Sequence, residues 1–412
     1  MSWKVITLGD LVVDSKIDLQ TGPFGTQLKA SDYTEEGTPV INVRNIGYGS
    51  LRKDRLEFVP DHVVNRLKKH ILQRNDIVFG RKGAVDRHLI VTENEYGWMQ
   101  GSDCIRLRFL TDEINPQYFS YFIMTENHKQ WMINQCSNKA TMASLNQDVI
   151  KRISFQLPDL PTQEKIVDLL SKYDDLIENN TKRITLLDNA ARLLYKEWFV
   201  HLRFPGNENT QFINELPGGW RNLHLSELVT TQYGFTETAQ TDPVGPKFLR
   251  GTDINKVNYI DWSSVPYCKI NSTDYDKYKL DIGDIVVIRM ADPGKVGIVE
   301  KEIPSVFASY LVRMKIKDKE LMSSYYLFYT LLDSAYQGFV TGVSTGSTRK
   351  SASAKLLVDF NLNVPPRSLL NLFDEYIIPL RKEISTLLDQ NKALYKAQSL
   401  LLPRLMKGEI SV

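Results

Sequence analysis

From Pro161 to Val200 the chain reads PTQEKIVDLLSKYDDLIENNTKRITLLDNAARLLYKEWFV, and from Leu170 onward its apolar residues return at alternating steps of three and four. The positions are Leu170, Tyr173, Ile177, Asn180, Ile184, Leu187, Ala191, Leu194 and Trp198, with Asn180 the one polar member. That spacing predicts a helix with a heptad seam. The outward positions are charged (Lys165, Asp168, Lys172, Asp174, Glu178, Lys182, Arg192, Lys196), so one stripe seeks one partner and the rest faces water. About 37 helical residues at ~1.5 Å each make a rod of roughly 55 Å.

The pattern returns 200 residues later, without a gap, at Leu370, Phe373, Ile377, Leu380, Ile384, Leu387, Asn391, Leu394 and Gln398. Leu170, Ile177, Lys182, Ile184, Leu187, Leu194, Tyr195 and Lys196 are each identical at that offset. A phase shared over four heptads predicts that the two helices pair with each other, antiparallel because the intervening chain must return. The alternative is two separate amphipathic helices, each on its own domain. Pro379, which lacks an N–H, is predicted to kink or delay the second helix. Asn180 either fixes register or marks a wet, frayed point. Trp198, Phe199, Leu401 and Leu402 at the helix ends either face a partner protein or cap the neighbouring domain.

The segments between the helices are also duplicated. Leu280–Val299 (LDIGDIVVIRMADPGKVGIV) aligns without a gap on Leu72–Val91 (LQRNDIVFGRKGAVDRHLIV), so Asp76-Ile77-Val78 matches Asp284-Ile285-Val286 and Arg81 matches Arg289. Phe248–Ile254 restates Val40–Ile46, which reads as a short strand. Ser309–Ile316 restates Ser102–Phe109, a strand with Ile105, Leu107 and Phe109 inward and Arg106 and Arg108 outward. Pro116–Asn134 reads as an aromatic-rich helix. Gly22-Pro23-Phe24-Gly25 reads as a tight turn with glycine where a positive φ is needed. Ser137–Asn146 and Ser344–Ser353 are polar loops, as groove-wrapping segments or as hairpin tips. The organisation is therefore a mixed α/β (α+β) domain over residues 1–157, a spacer helix over 158–205, a second domain over 206–363 and a distal helix over 364–412.

Composition bounds the function. An apolar fraction of 42% and a charged fraction of 24% describe a soluble globular protein. No run is long and apolar enough for a membrane span. Three scattered cysteines and no signal-like start point to the cytoplasm. The six histidines lack ligand spacing, so no metal site is expected. Residues 1–157 carry 20 Lys/Arg against 18 Asp/Glu, and residues 206–363 carry 17 against 18. Nucleic-acid binding therefore needs a local basic face or a partner. The sequence lacks a P-loop, a G-x-S-x-G and an H-E-x-x-H. It also lacks the Asn/Asp-Pro-Pro-aromatic tetrapeptide of a methyltransferase, since its one Pro-Pro is Val364-Pro365-Pro366-Arg367. No catalytic residue is nominated.

Several stretches resemble the specificity (S) subunit of type I restriction–modification systems over essentially the whole chain. They are Gly22-Pro23-Phe24-Gly25, Leu157–Ile166 (LPDLPTQEKI) entering the first helix, the paired helices, and Leu401–Gly408 (LLPRLMKG). The second copy departs from the pattern, with Val364–Ser368 lacking the Gln-Glu pair and Tyr233-Gly234-Phe235 replacing Gly-Pro-Phe-Gly. The resemblance implies a non-catalytic subunit in which two target recognition domains each read half of a split, asymmetric sequence in double-stranded DNA. It implies that the helices space the domains and dock two modification (methyltransferase) subunits, which bind S-adenosylmethionine, with restriction (translocase/nuclease) subunits as further partners. No cofactor is expected in this chain. A two-headed protein-binding scaffold without DNA readout is the rival reading.

Candidate DNA-contacting residues are Arg44, Arg81, Lys82 and Lys139 in the first domain and Arg250, Arg289, Lys295, Arg349 and Lys350 in the second. They lie in or beside turns that recur in both copies, with Arg81 and Arg289 ranked first. Such side chains read guanine edges, meet phosphates, or are solvated surface charge. Candidate helix-pairing residues are Leu170, Tyr173, Ile177, Ile184, Leu187, Leu194, Phe373, Ile377, Leu380, Ile384, Leu387 and Leu394.

Overall fold

A computed structural model describes residues 3–53, 55–136, 143–213, 216–344 and 350–412. It divides into two compact units, one of residues 1–178 with 391–412 and one of residues 179–390. Each unit holds a mixed α/β domain and a stretch of both long helices. The central helix runs Leu160–Tyr195, and the distal helix Arg367–Met406.

In the first unit the main sheet has the order Ile17–Thr21, Cys104–Phe109, Ile77–Gly80, His88–Ile90, Tyr48–Gly49. Its pairs are antiparallel except the last. In the second unit Val229–Tyr233, Leu311–Ile316, Ile285–Ile288 and Val296–Ile298 repeat that order. The central strand is buried throughout in both units, matching its uninterrupted apolar run. The turn before it needs a left-handed residue, which is Asn75 (φ 69°) in one copy and Gly283 (φ 90°) in the other. The aspartate that follows is buried and caps the turn, accepting from the N–H of Gln73 at 2.7 Å and of Asp281 at 3.1 Å.

Three local expectations change. Val40–Ile46 is not one strand, because pairing stops at Ile41 and Val43–Asn45 turns into a 3-10 helix. The second copy does the same, with Lys247–Leu249 followed by Gly251–Asp253. The aromatic-rich segment is two helices, Pro116–Met124 and Glu126–Cys136, split at Thr125. Arg106 is not outward: it is 3% exposed and paired with Asp18, while Arg108 is paired with buried Asp76 at 2.7 Å.

The helices run antiparallel. In the first unit Ile166 and Leu170 share a core with Leu402, Leu405 and Met406, and the Gln398 side chain donates to Asp174 at 2.7 Å. In the second unit Ile184 packs with Ile384 and Leu387, Arg183 pairs with Glu383 at 2.6 Å, and Trp198 and Phe199 pack on Phe373. Leu170, Ile177, Ile184, Phe373, Ile377, Ile384 and Leu387 are buried, while Tyr173, Leu187, Leu194, Leu380 and Leu394 are half-buried. Asn180 is 6% exposed in an unbroken helix, so the wet, frayed reading does not hold. Trp198, Phe199 and Leu402 are buried and Leu401 is half-buried, each in its own unit's core, which selects the capping role.

The distal helix continues through Pro379. Both Pro379 and Glu375, whose carbonyl loses its partner, lie on the exposed side, where water replaces the missing bond. The Gln of the first helix's opening motif has a structural role. Buried Gln163 donates to the carbonyls of Glu113 (3.0 Å) and Pro158 (2.9 Å) and accepts from the N–H of Asn115 (2.9 Å), fastening the helix start to its domain. In the second unit Arg381, 2% exposed, forms a bidentate pair with Glu300, donates to the Asn258 carbonyl at 2.9 Å and lies 3.6 Å from Asp188. Burial works against that charge, and the bonds and charge of Glu300 together with the charges of Tyr329 and Asp188 outweigh it.

Candidate nucleic-acid interface

At the end of each central strand stands one of the two arginines ranked first. The Arg81 N–H donates to the Asp103 carbonyl at 2.8 Å, and the Arg81 carbonyl accepts from Leu145 at 2.8 Å. The Arg289 N–H donates to the Tyr310 carbonyl at 2.9 Å, and its carbonyl accepts from Ala352 at 2.9 Å. Asp103 and Tyr310, like Leu145 and Ala352, occupy matching steps of the duplication, so the main chain is clamped identically. Both side chains are half-buried.

Each guanidinium lies over an exposed aromatic ring, Arg81 over Phe24 at 5.4 Å and Arg289 over Tyr233 at 4.8 Å. The rings come from different places. Gly22 and Gly234 match, since each N–H donates to the long strand, to Cys104 at 2.9 Å and to Leu311 at 3.2 Å. Phe24 follows its glycine by two residues, whereas Tyr233 precedes its glycine by one. A Cβ on Gly22 would sit 2.0 Å from the Gly101 carbonyl oxygen, and one on Gly234 2.3 Å from that of Ala308. The glycine therefore serves close backbone approach and not the positive φ expected of Gly22-Pro23-Phe24-Gly25. A cation over a ring at the surface is held by about 0.5–1 kcal/mol, which orders the fork without consuming its donors.

The other candidates divide. Lys82 is exposed beside Arg81, 3.1 Å from Asp103, and its main chain bridges to Ser144. Lys350 is exposed in a two-residue strand paired with Met290–Ala291, directly beyond Arg289. Lys295 is exposed across the hairpin from Ile288, whose N–H it accepts at 2.8 Å. Arg44 and Arg250 sit at the two matching 3-10 turns and pair with Glu57 at 2.6 Å and Asp253 at 2.8 Å. Lys139, Arg349 and much of the two polar loops lie outside the described residues. Among the described residues no cluster of His, Cys, Asp or Glu could hold a metal ion, and no helix is long and apolar enough to cross a membrane.

Residues 2–189 and 220–371 match the family model described as type I restriction modification DNA specificity domain. The chain belongs to that family. A specificity subunit recognises DNA sequence and is not itself the catalyst. Similar specificity subunits include that of the type I restriction enzyme MjaIX of Methanocaldococcus jannaschii, 25% identical, with 73% of this chain and 70% of that protein covered. The HindI specificity subunit of Haemophilus influenzae is 20% identical over 99% of both chains. The crystal structure of an S subunit from M. genitalium superposes with a TM-score of 0.58 at 14% identity, covering 98% of this chain and 96% of that one, and shares its fold.

In this specificity subunit three features of the candidate interface were not read from the sequence. The rings of Phe24 and Tyr233 went unassigned, although an aromatic beside a glycine in both copies was a visible signal. A concave, mainly basic surface of about 480 Å³ is lined by Lys68, Lys69, Arg106 and Arg108 with Asp18, Gln20 and Tyr96. Lys68 and Lys69 stand in a basic stretch with Arg66, His70 and Arg74, but nothing in one dimension brings them to the strand arginines.

Proposed function

We propose that this subunit reads a bipartite, asymmetric target in double-stranded DNA, one half with the recognition domain of residues 1–157 and the other with that of 206–363. The observation that carries this reading is the arginine on an aromatic ring at the end of both central strands, clamped by the same main-chain bonds. A pre-ordered fork is suited to the O6 and N7 edge of guanine. The surroundings differ, with Lys82 and Asp103 in one copy and Tyr310 and Lys350 in the other, which suits two different half-sites.

The subunit assembles two modification (methyltransferase) subunits, which carry S-adenosylmethionine, and restriction subunits where the system has them. Support comes from apolar residues outside the helix seam: Leu176 in one unit is 50% exposed, and Tyr376, at the matching step in the other, is 54% exposed. Two equivalent patches suit two copies of one partner. The complex acts in the cytoplasm, and the free, buried thiols of Cys104, Cys136 and Cys268 are compatible with a reducing compartment.

Mapping methylated adenines in cells carrying the subunit with its methyltransferase tests the reading. The expected result is one split motif with a fixed unread gap, the Arg81→Ala variant relaxing one half and Arg289→Ala the other. A pure scaffold gives no motif that depends on this chain and no steep loss of duplex affinity as salt rises.

A further inference from the structure

Both units build the same support behind the central strand, in which an arginine of the long strand holds a carbonyl of the preceding turn. Arg106 donates to Lys69 at 3.4 Å and Arg108 to Ile71 at 3.3 Å. In the second unit Arg313, matching Arg106, donates to the Lys279 carbonyl at 2.6 Å. The turn so held in the first unit, Lys68–His70, forms one wall of the concave surface, with Tyr96, 61% exposed, lining it as well.

The charges on this shared support differ. In the first unit Arg106 and Arg108 are countered by Asp18 and Asp76, but Lys68 and Lys69 are exposed and pair with no carboxylate among the described residues. In the second unit the step matching Lys68 is Asp276, which pairs with Lys279 at 3.3 Å. Lys315, matching Arg108, pairs with Asp281 at 2.6 Å. Lys277, matching Lys69, lies 5.1 Å from the Tyr278 ring. Charge over the whole domains leans the same way, 20 basic against 18 acidic in residues 1–157 and 17 against 18 in 206–363.

We propose that the first unit alone carries a phosphate grip, made by the Lys68 and Lys69 ammonium groups on a turn fixed by Arg106 and Arg108, and that it takes the backbone of duplex DNA. The inference rests on the DNA reading above and adds an asymmetry: one half of the target is gripped through its backbone, and the other depends on base contacts. Lysine suits this task, since a compact charge with rotatable donors meets phosphate oxygens without demanding a base pattern.

The test uses the full chain with its methyltransferase subunits and measures duplex affinity against salt. Each phosphate contact contributes about 0.9 to the slope of log affinity on log salt. The double variant Lys68→Gln, Lys69→Gln is expected to lose roughly 1.8 from that slope on cognate and unrelated duplexes alike, with the methylated motif unchanged. Lys277→Gln is expected to leave the slope unaltered. An unchanged slope in the double variant, an equal loss in Lys277→Gln, or a change of motif each overturns the grip. So does binding of free ATP that requires Lys68 and Lys69 while the DNA slope stays constant, which would assign the surface to a nucleotide. If the unaltered complex shows no salt-dependent binding, the DNA reading itself fails. If it does and the double variant matches it, the grip fails and the DNA reading stands.

Discussion

Arg81 and Arg289 are the side chains on which sequence discrimination is expected to turn. Alanine at either should cost about 1–3 kcal/mol of discrimination at one base pair of one half-site, measured by binding to duplexes varied one position at a time. Phe24→Leu keeps the charge and removes the ring, so a smaller loss of about 0.5–1 kcal/mol is expected. A different chemistry governs the acid response. Burial, helped by the charges of His128 and Lys129, pushes the His88 imidazole down to about 3, and burial alone pushes His128 down to about 4. Above the ordinary histidine value of ~6.5 both folded and unfolded chains hold these rings neutral, and this contribution to stability is complete. As pH falls below it the unfolded chain binds the protons first, so each ring should cost about 2 kcal/mol by pH 5. Urea unfolding at pH 7.5 and pH 5 checks the loss, and His88→Asn with His128→Gln should flatten it. The matching placement of Arg81 and Arg289 at the ends of the two central strands was legible because the same residue type stands at the same step of the repeat. Arg106 was misread because alternation along a strand assigns faces but cannot see Asp18 waiting to pair with a buried charge.

The long helices show which parts of an element a sequence declares. A heptad period carries phase, and the buried positions Ile177, Ile184, Ile377 and Ile384 follow it. Local breakers carry less, since their cost depends on what lies beside them. Pro379 sits where its missing bond meets water, so Pro379→Ala should stabilise the second unit by about 1–3 kcal/mol, read as a rise in its thermal midpoint. The short Val40–Ile46 segment was misassigned in both copies for the same reason: β-branched residues advertise a strand, but only a neighbouring edge decides where pairing stops. Arg381 is the opposite case, a charge on an apolar seam whose use no periodicity discloses. Arg381→Met leaves Glu300 without its counter-charge, while Asp188 keeps Arg192 at 3.0 Å, and should cost roughly 3–5 kcal/mol, seen as loss of the second unit's cooperative melting.

At the scale of the molecule, the split target proposed above makes helix length a testable variable. One heptad added to each long helix, after Asn179 and after Gln390, keeps the seam in phase and adds about 10 Å of helix. At ~34 Å for a turn of about 10 base pairs, the unread gap of the methylated motif should grow by roughly three base pairs. The tandem arrangement was plain in the repeated motifs, but the division of the structure was not. The sequence suggests a domain and then its helix, whereas the compact units cut both helices and return residues 391–412 to the first domain. Leu402, Leu405 and Met406 lie in the core that Ile6 and Leu8 begin.

That closure of the first core by Leu402, Leu405 and Met406 has a consequence during synthesis. At about 5–20 residues per second, the ribosome makes residues 179–390 over tens of seconds while the opening globule still lacks one wall. A chain cut before Leu402 is then expected to expose apolar surface of the first core, read as faster proteolysis than that of the uncut chain.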